Sequence, residues 1–353
     1  MEDVKTLLRE MLLIDSSHID GANHTVDFCC QWLKEHGLQT LELENNGYKM
    51  LLCEIGSGEK TIVFNGHVDV VSGKKDQFIP REKDGLLFGR GAADMKAGVA
   101  AMMCALAELK DEPLGVKIQL QIVSDEEVGG YSCTGYLVEN GYTGDFVICS
   151  EPTQLGIALQ AKGVLHLDID IKGKPAHGSR PWEGENAIIK ACRLHKQILK
   201  LPFMSESSEF YPYPSVNWAK IKGGDVYNKV PESCTISFDI RYLPGQDADT
   251  ITSQIQSITD GEITVKVAGP PVETKETDEF VKKLSPIVEQ HTKHPVEYFG
   301  QHGAADTHFF ASKGIPAIEF GPSGANWHGN EEYVVISSLN TYKNMLVDYA
   351  RKW

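Results

Sequence analysis

Through about the first 160 residues the apolar positions switch between two periods. Residues 2–13 and about 24–36 repeat every three or four positions, and "HTVDFCCQWLKEHG" closes on a glycine, so both are predicted helices. "KTIVFNGHVDV", "VKIQLQIVS" and "DFVICSE" are short continuous apolar runs, the pattern of strands buried on both faces. Helical patterns at 94–109 and 132–140 fall between them. This alternation predicts a largely parallel sheet covered by helices on both faces.

Near Lys162 the pattern changes. "VLHLDIDIKG" alternates with period two, as a strand with one solvated face does. A helix at about 185–199, strands at "SVNWAKIKGG" and "CTISFDIRYL", a helix at about 247–258 and the strand "EITVKVAG" follow. That β-α-β-β-α-β order predicts a ferredoxin-like unit. After "GPPVETKETDEF" the first style returns, with a helix from about 277, "GIPAIEFGP" and a final helix. The expected organisation is an α/β domain in two parts, residues 1–161 and 270–353, interrupted by an inserted α+β domain at 162–269.

Composition narrows the partners. A length of 353 residues exceeds what one core ordinarily supports, in keeping with two domains. The net charge of −15 argues against nucleic acid or an anionic membrane, since both select basic patches. Eight cysteines are scattered without a C-x-x-C pair and read as reduced thiols. The start, "MEDVKTLLREMLLIDS", is charged throughout, unlike a secretory leader, and "AGVAAMMCALA" is too short to cross a bilayer. The expectation is a soluble cytoplasmic protein.

"QIVSDEEVGG" is where chemistry first shows. A predicted strand ends in Asp125, Glu126 and Glu127, which repel one another and are costly to desolvate without a cation. "FNGHVDVV" sets His67 and Asp69 two apart at another strand end. Both then share a face, where an imidazole binds a metal and a carboxylate fixes its tautomer. A hydrogen-bonded polar pair is the equal alternative. Asp94 in "GRGAADMKAG" reads by itself as a helix N-cap. Gly89 and Gly91 resemble part of a phosphate cradle, but Asp94 stands at the third glycine and would repel phosphate. Glu151 in "CSEPT" and His328 in "NWHGNEEY" read separately as turn and loop residues. Together, these imidazoles and carboxylates at strand ends and in loops suit zinc, manganese or cobalt. There is no H-E-x-x-H, G-x-S-x-G or P-loop.

The stretches "GHVDVV", "GRGAADMKAG", "SDEEVGG", "SEPT" and "WHGNEEYV" resemble the successive signatures of the M20 metallopeptidase family, in family order and nearly end to end. The resemblance implies a zinc-peptidase-like catalytic domain with a mostly parallel central sheet and an inserted ferredoxin-like lid that forms a homodimer. It implies two Zn²⁺ per subunit, replaceable by Co²⁺ or Mn²⁺, bridged by Asp94 and a water. His67 and Glu151 would complete one site, Glu127 and His328 the other. Glu126 would be the general base and Asp69 the partner of His67. "GKPAHGSRP" matches the lid signature, which implies that His177 stabilises an oxyanion in the partner subunit's site. "FDIRYLPG" puts Arg241 where relatives hold a substrate carboxylate, and Asn217 resembles another lid residue that contacts substrate. Without the family, His177 reads as a loop histidine and Arg241 and Asn217 as strand-surface residues.

One loop departs from the pattern. Where many members carry a Gly-Gly-Thr-Ser-like loop before an Asp, this chain has "GQHGAADTHFF". In the unusual loop His302-Gly303-Ala304-Ala305, His302 and Ala304 change the donors offered to a substrate, while Gly303 and Asp306 remain. The expected activity is hydrolysis of the amide bond of an N-acyl amino acid, as in acetylornithine deacetylases and succinyl-diaminopimelate desuccinylases. A dipeptidase or carboxypeptidase of the same family is the alternative. A catalytically silent metal-binding regulator is a further one, which the presence of Glu126 disfavours.

Overall fold

The computed structural model describes residues 3–353. The chain forms two compact units. One runs up to Leu159 and resumes at Glu273–Phe299 and Ala305–Trp353; the other comprises Gln160–Val272 and Gly300–Ala304.

The first unit is built on a mixed sheet. At its middle lie the strands Lys117–Val123, Thr61–His67, Phe146–Cys149 and Ala317–Glu319, in that order and parallel. Their continuous apolar runs are buried, as a parallel sheet covered on both faces requires. Beyond Lys117–Val123 the sheet continues with Tyr48–Ile55 and Thr40–Asn45, both antiparallel. This hairpin is not apparent from the pattern, because Thr40–Asn45 is an edge strand with no fully buried residue. Helix Lys96–Leu109 is buried almost all round and packs against Val4–Leu12 and Ile336–Ala350. Among the described residues, no helix is long and apolar enough to cross a membrane.

A second, small sheet was not legible in the sequence. Its strands, in order, are Gly324–Ala325, Tyr333–Val335, Leu86–Phe88 and Arg81–Lys83, all antiparallel. Two or three residues are too few to show a period. The sheet nevertheless matters to the site: it sets the segment that follows Phe88 beside the hairpin loop between Ala325 and Tyr333.

The other unit is an antiparallel sheet in the order Ser215–Gly223, Ser233–Tyr242, Gly163–Lys172, Glu262–Gly269. With helices Ala187–Ile198 and Ala248–Gln256 this gives the expected β-α-β-β-α-β order. Strict alternation along Ser233–Tyr242 buries Ile236, Phe238 and Ile240 with Leu165, Leu167 and Ile169 and with Ala191 and Ile255 of the helices.

Candidate metal centre

Parallel strands deliver their carboxyl ends to one edge of the sheet, and register decides which side chains meet there. His67 pairs with Val123, so Glu126 and Glu127 begin three residues beyond it. Asn65 pairs with Cys149, which puts Glu151 level with His67. Asp94 arrives on the segment before helix Lys96–Leu109. It is not that helix's N-cap: Met95 occupies that position, and no side chain caps the helix. The Asp94 carboxylate turns instead to two imidazoles, with Oδ1 3.2 Å from His67 Nε2 and Oδ2 3.4 Å from His328 Nε2. His328 comes from the hairpin loop with a left-handed backbone, φ 63°. Its Nε2 also lies 3.2 Å from Glu127 Oε2.

Two donor groups result, His67–Asp94–Glu151 and Asp94–Glu127–His328, each with ligand atoms within 4.8 Å of one another. Both could hold a metal ion, and they share Asp94. Glu126 belongs to neither, although its Oε2 is 3.8 Å from His67 Nε2.

The tautomer of His67 follows from its contacts. Nδ1 lies 2.9 Å from the backbone carbonyl of Asp69, which only accepts, so Nδ1 carries a proton; Nε2 faces the Asp94 carboxylate and is the ring nitrogen a cation in the cluster would take. The Asp69 carboxylate, 3.5 Å from that Nδ1, has another partner set. It accepts the backbone N–H of Glu126 at 3.2 Å and of Glu127 at 2.9 Å. The orienting acid expected for His67 thus grips the turn that carries the other two carboxylates.

Electrostatics favour a cation here. Burial, more than the Asp94 charge, raises Glu127 above the ordinary carboxylate range. Burial also raises Glu151, with Asp94, Glu126 and Glu319 adding repulsion. Glu126 is raised by burial and by Asp306, Asp94 and Asp69, against the pull of His67. Asp94 is the exception: burial opposes its ionisation, but His328 and His67 hold it well below the usual value. A divalent ion would compensate buried carboxylates at this density, and imidazole with carboxylate oxygen is a zinc-type donor set.

Residues 63–352 match the model of peptidase family M20/M25/M40. The chain belongs to that family. It is 29% identical over 345 residues to a succinyl-diaminopimelate desuccinylase of Polaromonas sp., covering 89% of this chain and 80% of the relative. In fold it is similar to the aminopeptidase PepT of Bacillus cereus, with a TM-score of 0.83 at 21% identity over 99% and 97% of the two chains. The Bacillus subtilis YXEP protein, described as a dinuclear metal binding peptidase from the M20 family, matches with a TM-score of 0.71 at 14% identity over 99% and 97%.

This M20 chain has site residues that sequence reasoning left unassigned. Asp306 is buried and accepts a 2.5 Å hydrogen bond from Thr134 Oγ1; burial raises it to about 7 despite that bond. Gly130, at φ 71°, leaves room for it, since a Cβ there would sit 2.3 Å from Asp306 Oδ1. Arg90 and Glu332 form a buried ion pair next to Asp94 and His328. Glu331 and Glu332 look alike in sequence, yet the first is exposed and the second buried.

The inserted unit carries the remaining candidates. Exposed His177 accepts the Ser179 N–H on Nδ1 at 3.2 Å, which leaves Nε2–H as a donor. Arg241 is bound to Asp239, Nε to Oδ1 at 2.8 Å and Nη2 to Oδ2 at 3.4 Å, and His166 Nε2 lies 3.3 Å from the same Oδ1. Asn217 stands opposite Asp239 in the sheet, on that same polar face.

Proposed function

We propose that the chain is a two-metal amidohydrolase that removes the acyl group from an N-acyl amino acid. The observation that carries this reading is the pair of donor groups sharing Asp94, with Glu126 beside them and in neither. His67, Asp94 and Glu151 would hold one ion, and Asp94, Glu127 and His328 the second. Zinc suits these donors, with cobalt or manganese as substitutes. When bound, the ions polarise the scissile carbonyl and make water more acidic.

Glu126 is the base. It takes a proton from the attacking water as the C–O bond forms, and returns it to the amide nitrogen as the C–N bond breaks. Lying beside the donor groups but in neither, Glu126 keeps its carboxylate free of coordination to carry that proton between the two events. Asp69 fixes the turn that separates base from ligand. In a homodimer, His177 of the lid donates Nε2–H to the oxyanion in the partner's site. Arg241, with donors left over from Asp239, and Asn217 take the free carboxylate of the substrate.

The likeness to a desuccinylase over most of the chain supports an acyl-amino acid substrate. A peptidase reading of the same site is favoured by the fold shared with an aminopeptidase. Hydrolysis of N-succinyl, N-acetyl and dipeptide substrates by the zinc- or cobalt-loaded protein separates the two. Turnover confined to peptides would reject the acyl-amino acid reading, and full turnover after metal is stripped would reject the metal mechanism.

A further inference from the structure

Asp94 and His328 come from segments that are far apart in sequence, yet the second donor group needs both at one separation. Two buried side chains join those segments. Glu332, 2% exposed, accepts the backbone N–H of Ala93 at 3.0 Å and of Asp94 at 3.1 Å on Oε1. Its Oε2 takes Arg90 Nη1 at 2.7 Å, and Arg90 is 3% exposed. Arg90 Nη2 in turn points to the backbone carbonyl of His328 at 3.4 Å. Gln77 closes the same frame: its backbone carbonyl accepts the Arg90 N–H at 2.8 Å, and its Nε2 donates to Gly329 O at 3.0 Å and Asn330 O at 3.3 Å. The chain of bonds therefore runs from the amide of the shared ligand, through one carboxylate and one guanidinium, to the carbonyl of the loop histidine.

We propose that Arg90 and Glu332 are positioning residues that set the spacing of Asp94 and His328, and so control occupancy of the Asp94–Glu127–His328 group more than of the His67–Asp94–Glu151 group. The inference rests on the two-metal reading above. The asymmetry follows from connectivity. Arg90 binds the His328 carbonyl directly and reaches Asp94 only through Glu332, and the side-chain hydrogen bonds of neither residue extend to His67 or Glu151. The guanidinium's fork matters because a carboxylate and a carbonyl must be held at once, which an ammonium on a flexible stem does less well. Residues that orient ligands in this way typically change metal affinity by about 10- to 100-fold when replaced.

The test is a calorimetric Zn²⁺ titration of the metal-stripped full chain, with bound zinc checked by elemental analysis. The parent must bind two ions; if it does not, the two-metal reading itself has failed, and that outcome is distinct from any variant result. Given two ions, Arg90→Lys is expected to leave one binding event at parental affinity and weaken the other by about tenfold or more. Its kcat should fall at limiting zinc with KM unchanged, and raised Zn²⁺ should restore kcat. Removing one partner of a buried pair can unfold a protein, so the charge-free double variant Arg90→Gln/Glu332→Gln is the second arm. It retains an acceptor for the Asp94 N–H and is expected to show the same selective loss. Two ions bound with parental affinity in either folded variant, or equal weakening of both ions in Arg90→Lys, overturns the proposal.

Discussion

Asp69 accepts the backbone N–H of both Glu126 and Glu127, so their side chains leave a fixed turn in different directions. Only Glu127 enters a donor group. Glu126→Ala should therefore bind both ions like the parent while kcat falls by about 10²- to 10⁴-fold, the range for a lost general base. Glu127→Ala should lose one ion as well as rate. Equal zinc content in the two variants, read by elemental analysis, would mean that the adjacent roles are misassigned. The same cluster gives a pH dependence. Asp306 is raised from its ordinary 3.8 to about 7, chiefly by burial, and burial raises Glu126, Glu127 and Glu151 in the same direction. A folded value above the unfolded one contributes stability that is full below the unfolded pKa and is lost as pH rises through the folded value. Metal-stripped protein should thus melt at progressively lower temperature between about pH 5 and pH 8, and Zn²⁺ should recover most of the loss at the upper end. Thermal melts with and without zinc test this; a flat or rising profile for the stripped protein contradicts it.

Helix Lys96–Leu109 reaches the site because it lies unusually near the end of strand Phe146–Cys149. A Cβ on Gly98 would fall 2.4 Å from both the carbonyl oxygen and the Oγ of Ser150, the residue before Glu151. Gly98→Ala should cost about 1–3 kcal/mol through overpacking. By displacing Ser150 it should also weaken zinc binding at the His67–Asp94–Glu151 group. A variant that melts and titrates like the parent would show that the approach has slack. The contact could not be read from the chain, because nothing local says what a glycine is close to. What was readable had local causes. The buried runs "TIVF" and "IQLQIV" carry their own hydrophobicity, and Ser233–Tyr242 carries its own alternation. Helix Ile19–Glu35 begins earlier than its apolar pattern, since its first turn contains Gly21 and no side chain caps it. The side chains singled out at His67, Asp94, Glu127, Glu151 and His328 do lie together, but the small sheet that closes the His328 side is built from strands too short to announce themselves. Arg90 and Glu332 were hidden for a related reason: burial of one acid in a Glu-Glu pair depends on a segment more than 200 residues away.

At the scale of the whole molecule, the proposed chemistry divides between the two units, with Glu126 in one and His177 in the other. If the lid serves the partner's site, each catalytic centre needs two chains. Each single variant, Glu126→Ala or His177→Ala, then spoils every site of its own homodimer. Loss of an oxyanion donor costs about 10²- to 10³-fold in kcat, so the His177→Ala background is low enough to measure against. Mixing the two variants changes the count. In a hybrid of twofold symmetry, the chain with intact Glu126 receives an intact His177 from its neighbour, and that site is whole, while the other lacks both. Random exchange of equal amounts makes half the dimers hybrid with one working site each, so about a quarter of parental activity should return. If His177 acts on its own chain, no hybrid contains a complete site, and mixing returns nothing beyond the average of the two variants. The measurement is activity after subunit exchange, with hybrid formation verified by native mass spectrometry. Hybrids without recovered activity rule out the role in trans, and a protein that stays monomeric at assay concentration rules it out without the mixing step.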